Sequence, residues 1–387
     1  MIEENISSKI FHEHPVFICG APRSGTTLLM NLLDGHHNLL VFPHEVNIIY
    51  YYYKFKNDIN KLFFIRDYLY SNELSLYLDP DFQKKINKKK IYTYGNPDSL
   101  ISLNKKKFIN TYLKSINIFG SGLKGLYISL ANAFASSSLD SDSINKLSRF
   151  VAKRPIYNEI YAPLFKKVFP QALFIHILRD PRTRYASAKN RRLQDKFKMK
   201  YCNDVNGRDF ASGLSEISAL SFDLAIRNKE LIGGNYLVIR YEDLIDNIDK
   251  TSKKIANFLK IEWGNILNSQ TRFGKDQNPF SSFKDLKSGK IVNTHEDRLN
   301  KFMQITSRLE RKILYLYTSN VAQEFGYTFK HSNLNFLECF MPMRYEPIWK
   351  YISNRFSLFK SLREVKIKDS VVFRALQMSQ DGNPIDY

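Results

Sequence analysis

The stretch Val16–Gly35, VFICGAPRSGTTLLMNLLDG, decides how the rest of the chain is to be read. Its opening apolar residues read as a buried strand, and Leu28, Leu29, Leu32 and Leu33 recur at the spacing of one helix face. Between them lies a glycine-bracketed turn, and strand, turn and helix together outline a phosphate-binding loop. Gly20-Ala-Pro-Arg-Ser-Gly25-Thr26-Thr27 keeps the spacing of the nucleoside-triphosphate loop G-x-x-x-x-G-K-[ST]. Thr26 stands at the lysine position, however, and Arg23 is the loop's basic residue.

Backbone N–H groups around Gly25 and the positive end of the following helix make an anion site, to which the Thr26 and Thr27 hydroxyls add donors. Arg23 supplies a planar fork in place of a mobile ammonium. Without the loop lysine, and with no clear acidic partner for magnesium, a β/γ-phosphate with its metal is poorly served. A smaller, metal-free phosphate at the 5′ end of a nucleotide fits better.

Bulk properties narrow the field. At 387 residues the chain can bury a substantial core, and 43% hydrophobic with 25% charged residues describes a globular protein rather than a disordered one. Fifty-eight Lys and Arg against 38 Asp and Glu give +20, which favours anionic partners. The runs Gln83–Lys90 and Asn104–Lys107 read as solvated helix faces, and no RNA-binding or zinc-finger signature accompanies them, so no specific nucleic-acid partner is expected. Cys19, Cys202 and Cys339 lie far apart, with neither disulfide nor zinc spacing, and no metal is expected. No apolar run reaches membrane-span length and the first residues are too polar for a signal peptide, so the expectation is a cytoplasmic protein with at most peripheral membrane contact.

Further strands are predicted at Arg149–Pro155, Ala172–Leu178 and in NYLVIRYEDL, with helices in NEIYAPLFKKVF, after Pro181 and in DKTSKKIANFLKI. Strands alternating with helices imply an α/β fold with a parallel sheet, whose ligands sit at the carboxyl ends of the strands, where the loop, Lys153 and Arg179 converge. Residues 50–145, aromatic and Lys-rich, read as a helical, lid-like insertion, and residues 331–387 as a small helical or irregular C-terminal extension beyond a main domain of residues 1–330.

A second constellation lies in LRDPRTRYASAKNRR. Arg179 ends a strand, and with a helix starting near Pro181, Ser187 and Arg191 are at i and i+4 on one face. Two guanidiniums and a hydroxyl suggest a second phosphate site, distinct from the loop.

Together these elements resemble the sulfotransferases that use 3′-phosphoadenosine 5′-phosphosulfate (PAPS). That family has a P-[RK]-S-G-T-T loop for the 5′-phosphosulfate, and an Arg at a strand end with a Ser eight residues later for the 3′-phosphate. Pro22-Arg23-Ser24-Gly25-Thr26-Thr27 and Arg179 with Ser187 match both. KRPIYN with FPQALFIHILRDPR resembles the family's DKTPxN and FPdAkfIhivRDPR, placing Lys153, Pro155 and Asn158 in register, and YEDL at Tyr241–Leu244 follows in order. The resemblance is to the RSGTT branch, which includes tyrosylprotein and bacterial carbohydrate sulfotransferases. It implies a P-loop-like three-layer fold with a central parallel sheet and helical insertions, with Arg191, Ser282 and Arg298 as further donor contacts. Arg154 stands where the family has Thr or Asp, Ala152 where it has Asp, and Leu299 where tryptophan is usual.

The resemblance and the chemistry put Lys153 at the bridging oxygen, with Arg23 on the 5′-phosphate. The acceptor hydroxyl needs a base: Glu45 stands where this branch carries a glutamate, and His44 beside it is the alternative. Two other readings stay open, a nucleotide-dependent kinase with an altered loop and a non-catalytic binding relative. The expected acceptor is a glycan, lipid-linked sugar or small alcohol, anionic or sugar-bearing, with protein tyrosine as the alternative.

Overall fold

The apolar runs become the strands of one sheet. The computed structural model describes residues 11–49, 52, 78, 103–194, 208–276, 286–287, 290–291 and 294–328. In it β1 (Val16–Cys19), β2 (Leu39–Glu45), β3 (Arg149–Lys153), β4 (Leu173–Leu178) and β5 (Tyr236–Arg240) pair in the order β2-β3-β1-β4-β5, every neighbouring pair parallel. The chain steps outward from β1 to β2, then crosses β1 between β3 and β4. The switch in strand order therefore falls at the carboxyl end of β1, where open α/β sheets place their ligands.

Helices fill both faces. They are α1 (Thr26–Leu33), α2 (Lys105–Phe119), α3 (Leu123–Ser138), α4 (Ser141–Lys146), α5 (Tyr157–Ile160), α6 (Ala162–Val168), α7 (Pro181–Gln194), α8 (Arg208–Ile232), α9 (Tyr241–Asp246), α10 (Ile248–Leu259), α11 (His295–Ile305) and α12 (Arg308–Gln323). Alternation along the strands divides the core: Phe17, Phe150, Phe174 and Tyr236 pack under α2, α3, α6 and α8, while Val16, Ile18, Val151, Ile175 and Ile239 pack under α1, α9 and α10. The result is the expected α/β architecture of three layers around a central parallel sheet.

Three details go beyond the sequence reading. β2 was not anticipated, because Pro43 argues against a central strand; it lies at the sheet edge, where proline is tolerated, and its register slips between Val41 and Glu45. The single helix expected in NEIYAPLFKKVF is two, since Pro163 supplies no N–H and sits in the first turn of the second. In the segment read as an insertion, Asn104 caps α2 with the Lys105–Lys107 side chains in solvent, whereas α3 is buried along nearly its whole length against the sheet. The run Gln83–Lys90, most of residues 50–102 and residues 331–387 lie outside the described residues. None of the described helices is long and apolar enough to cross a membrane.

Phe17 is the pivot of the larger core. Fully buried, it stacks on Phe165 at 4.2 Å and on Phe174 at 5.4 Å, with Tyr127 edge-on at 5.7 Å. Phe17→Ala is expected to destabilise the fold by about 3–5 kcal/mol, read from urea denaturation.

Candidate active site

The turn after β1 has its backbone bonded outward at four successive residues. Gly20 N–H donates to Glu159 Oε2 at 2.6 Å and Ala21 N–H to Ser221 Oγ at 3.1 Å. Pro22 C=O accepts from Arg184 Nη1 at 2.8 Å, and Arg23 C=O from Arg179 Nη1 at 3.1 Å. Two glycines are forced by the close approach of neighbours. Gly20 has φ +140 with the Ile177 carbonyl 2.6 Å from where a Cβ would sit, and Gly25 has φ +104 with the Tyr241 ring 2.5 Å away. Arg23 also has positive φ, 74°, unusual for a side chain of its kind and typical of backbone held in place by a functional site.

That backbone turn sends the Arg23 side chain toward α7, where its Nε donates to Ser187 Oγ at 3.2 Å. Loop and second constellation therefore adjoin. Arg179, 7% exposed, also donates to Thr183 Oγ1 at 2.9 Å and lies over the Tyr241 ring at 4.3 Å. Arg298 of α11 lies over that ring too, at 5.2 Å, so both guanidiniums share one aromatic platform. α11 is tied to the end of β4 by His295 Nε2, 3.3 Å from Asp180 Oδ2. Arg191 lies one turn beyond Ser187 on α7 and is partly exposed. Ser24 and Thr26 are buried in the loop and the first turn of α1, and Ser282 lies outside the described residues.

On the other side of the loop, Lys153 ends β3. Its Nζ donates to Thr27 Oγ1 at 3.0 Å, so an ammonium from another strand reaches the position following the one where triphosphate loops carry their own lysine. Burial, outweighing the attraction of Glu45, lowers its pKa to about 8, with Arg272, Arg154 and Arg23 pushing the same way. Glu45 is its register partner across β2 and β3 and is bound by Arg154 Nη1, whose guanidinium lies over Tyr157 at 4.7 Å. His44 is half-buried and held neutral: desolvation first, then Lys153 and Arg272, lower its pKa to about 3.

The structure thus brings Thr27 and Lys153 together on one side with Glu45 beside Lys153, and Arg179, Ser187 and Arg298 on the other, with Arg23 reaching Ser187 from the loop. Several residues that shape the site were missed. Arg184, fully buried with its pKa lowered by burial to about 9, also donates to Ser218 Oγ at 2.8 Å and to the Leu214 carbonyl, fastening the loop to α8. It stands in the basic run LRDPRTRYASAKNRR, in which only Arg179, Ser187 and Arg191 had been singled out. Glu159 and Ser221 left no signal at all, being polar residues within helical segments. Asn158, matched only as part of a motif, donates its amide to the Ile18 and Ala152 carbonyls at 3.0 and 3.1 Å, joining the ends of β1 and β3.

Fold and site define an α/β protein with two adjoining cationic clusters at the carboxyl end of its parallel sheet. A family model described as the sulfotransferase family matches residues 15–265, and the chain belongs to that family. Among solved structures it is similar to the sulfotransferase domain from the Synechococcus PCC 7002 olefin synthase, at 19% identity over 82% of this chain and 95% of that one, TM-score 0.49. It is also similar to the sulfotransferase domain from the curacin biosynthetic pathway, at 16% identity over 82% and 98%, TM-score 0.44. A third is retinol dehydratase in complex with retinol and PAP, at 16% identity over 86% and 87%, TM-score 0.34. No curated protein matches the chain.

The glycine geometry yields a cycle of variants. Gly25→Ala is expected to cost about 2–3 kcal/mol from backbone strain and the Tyr241 contact together, and about 1 kcal/mol less in a Tyr241→Leu background. Thermal or urea denaturation of the four proteins measures the difference.

Proposed function

We propose that the chain transfers a sulfuryl group from PAPS to an acceptor hydroxyl. One observation carries this reading: the loop seat and the Arg179–Ser187 seat adjoin through the Arg23–Ser187 hydrogen bond, yet have separate cations. A nucleotide with one anionic group at its 5′ end and another at its 3′ position calls for such a pair. Thr26 in place of the loop lysine, with Lys153 arriving from β3 instead, supports this donor over a metal-bound triphosphate.

In this reading the loop amides, Ser24, Thr26, Thr27 and Arg23 hold the 5′-phosphosulfate, and Arg179, Ser187 and Arg298 the 3′-phosphate, with Arg191 and Ser282 as further contacts. The acceptor oxygen attacks sulfur in line while the bond from sulfur to the bridging oxygen breaks. Lys153 and Arg23 offset the charge gathering on the leaving phosphate, and Glu45 takes the acceptor's proton. Burial and the neighbouring cations Lys153 and Arg272 lower the pKa of His44 to about 3, which leaves its imidazole a weak base. For Glu45 to act, Arg154 must release it. Arg154 and Arg272 near the base support an acceptor with anionic character, a glycan, lipid-linked sugar or small alcohol; sulfation of acidic tyrosine peptides with no glycan turnover would overturn that choice. The scattered cysteines favour a cytoplasmic, reducing setting.

Two expected outcomes test the assignment. Arg179→Ala is expected to weaken 3′,5′-adenosine bisphosphate by roughly 10–100-fold, the loss of about 1.5–3 kcal/mol of charged hydrogen bonding, and adenosine 5′-phosphosulfate much less, in calorimetric titration. An equal loss for both, or tighter binding of magnesium ATP by the unaltered protein, would overturn it. The second concerns pH. Only protonated Lys153 stabilises the leaving group, so kcat/KM is expected to fall as pH rises through about 8, and Lys153→Arg to remove that limb while lowering the rate.

A further inference from the structure

The inner side of the loop ends on a carboxyl that the proposed reaction does not use. Glu159 of α5 is 0% exposed, and besides Gly20 N–H it accepts the Ser221 hydroxyl on Oε1 at 3.0 Å. Ser221 Oγ, accepting Ala21 N–H, also meets His176 Nε2 at 2.9 Å; His176 Nδ1 meets Tyr236 Oη at 2.8 Å, and Tyr236 is within hydrogen-bonding reach of Cys19. Asn228 donates to Tyr236 Oη at 3.3 Å and to the Glu159 carbonyl at 2.7 Å.

Proton counting gives this chain two consistent directions. With Glu159 ionised, Ser221 donates to it, His176 donates from Nε2 to Ser221, and Tyr236 donates to Nδ1. With Glu159 protonated on Oε1, every link reverses: Glu159 donates to Ser221, Ser221 to Nε2, Nδ1–H to Tyr236, and Tyr236 to the Cys19 sulfur. Gly20 N–H keeps its acceptor in both. The protein can therefore hold either charge on Glu159 without leaving a donor stranded.

We propose that Glu159 is a positioning residue of the donor loop that takes up a proton from solvent when a nucleotide phosphate binds there, so that the loop does not face the incoming anion with a full negative charge behind it. This rests on the PAPS reading above. Its charged and titratable neighbours fit. Arg184 from α7 is the cation acting on it; Cys19 from β1 and Tyr236 from β5 are raised by burial and stay neutral; burial lowers His176 on β4 to about 3, so it too is neutral; α8 contributes the uncharged Ser221 and Asn228. Burial raises Glu159 itself to about 7, against hydrogen bonds from Gly20 and Ser221, so near neutral pH a proton is readily taken.

The test is calorimetric titration of 3′,5′-adenosine bisphosphate at neutral pH in buffers of different ionisation enthalpy, which counts protons taken up on binding. The nucleotide's own phosphates titrate near pH 6 and contribute protons of their own, so Glu159→Gln, which keeps the acceptor for Gly20, is the comparator. The unaltered protein is expected to take up roughly half a proton more than the variant, and its affinity to fall about threefold more per pH unit on raising the pH. Equal proton counts overturn the proposal. Should the variant fail to fold, infrared difference spectra of the unaltered protein with isotope-labelled glutamate decide: a protonated carboxyl gained on binding supports the proposal, and none overturns it. Binding without proton uptake overturns this inference alone, whereas no binding of the bisphosphate at any pH overturns the donor reading and this proposal with it.

Discussion

Everything at the carboxyl end of the sheet depends on how the turn Gly20–Arg23 is held. The turn is made of backbone, and it closes on itself with one bond, Ser24 N–H to Ala21 C=O at 3.0 Å. Here Glu159, Ser221, Arg184 and Arg179, from three separate segments of the chain, each bond one backbone group of the four successive residues Gly20–Arg23 from outside the turn. Each of those bonds is buried or partly so, where an unpaired partner costs about 1–3 kcal/mol. The turn is therefore fixed before any ligand arrives, and the left-handed backbone of Arg23, otherwise a strained arrangement, is sustained by the same set of contacts.

The second dependence runs through Tyr241. Its ring touches the space a side chain at Gly25 would need, and on it lie Arg179 and Arg298. The ring thus relates the loop, the end of β4 and α11 to one another. Asp180 adds a polar tie: its burial alone would raise its pKa, but hydrogen bonds from His295 and Arg182 win and lower it to about 2, keeping the carboxylate charged and α11 in place.

Much of this was legible in the sequence because it rests on local rules. Buried strands announce themselves as short apolar runs, and Gly20 and Gly25 mark backbone that no other residue adopts at that proximity. Ser187 and Arg191 could be paired because helical periodicity relates them, and Arg179 joined Ser187 through the family pattern. What could not be read depends on contacts between distant segments. Arg184 sits in a run of basic residues whose ordinary fate is solvent, and only the closeness of α7 to α8 and to the loop makes it a buried clamp. Arg154 was visible as a departure from the family pattern, but its reason, the carboxylate of Glu45 on the neighbouring strand, appears only once β2 and β3 are paired. β2 itself was obscured by Pro43, which disfavours a central strand but not an edge.

The pairing of Glu45 with Lys153 has a consequence for how such a protein can diversify. Their spacing is set by hydrogen-bond register across two adjacent strands, not by the long stretch of chain that separates them. The segment between β2 and β3 can therefore change in length outside the buried α3 while the carboxylate and the ammonium keep their separation. The spacing of the two charges is in this sense a property of the sheet and not of the connection that links its strands.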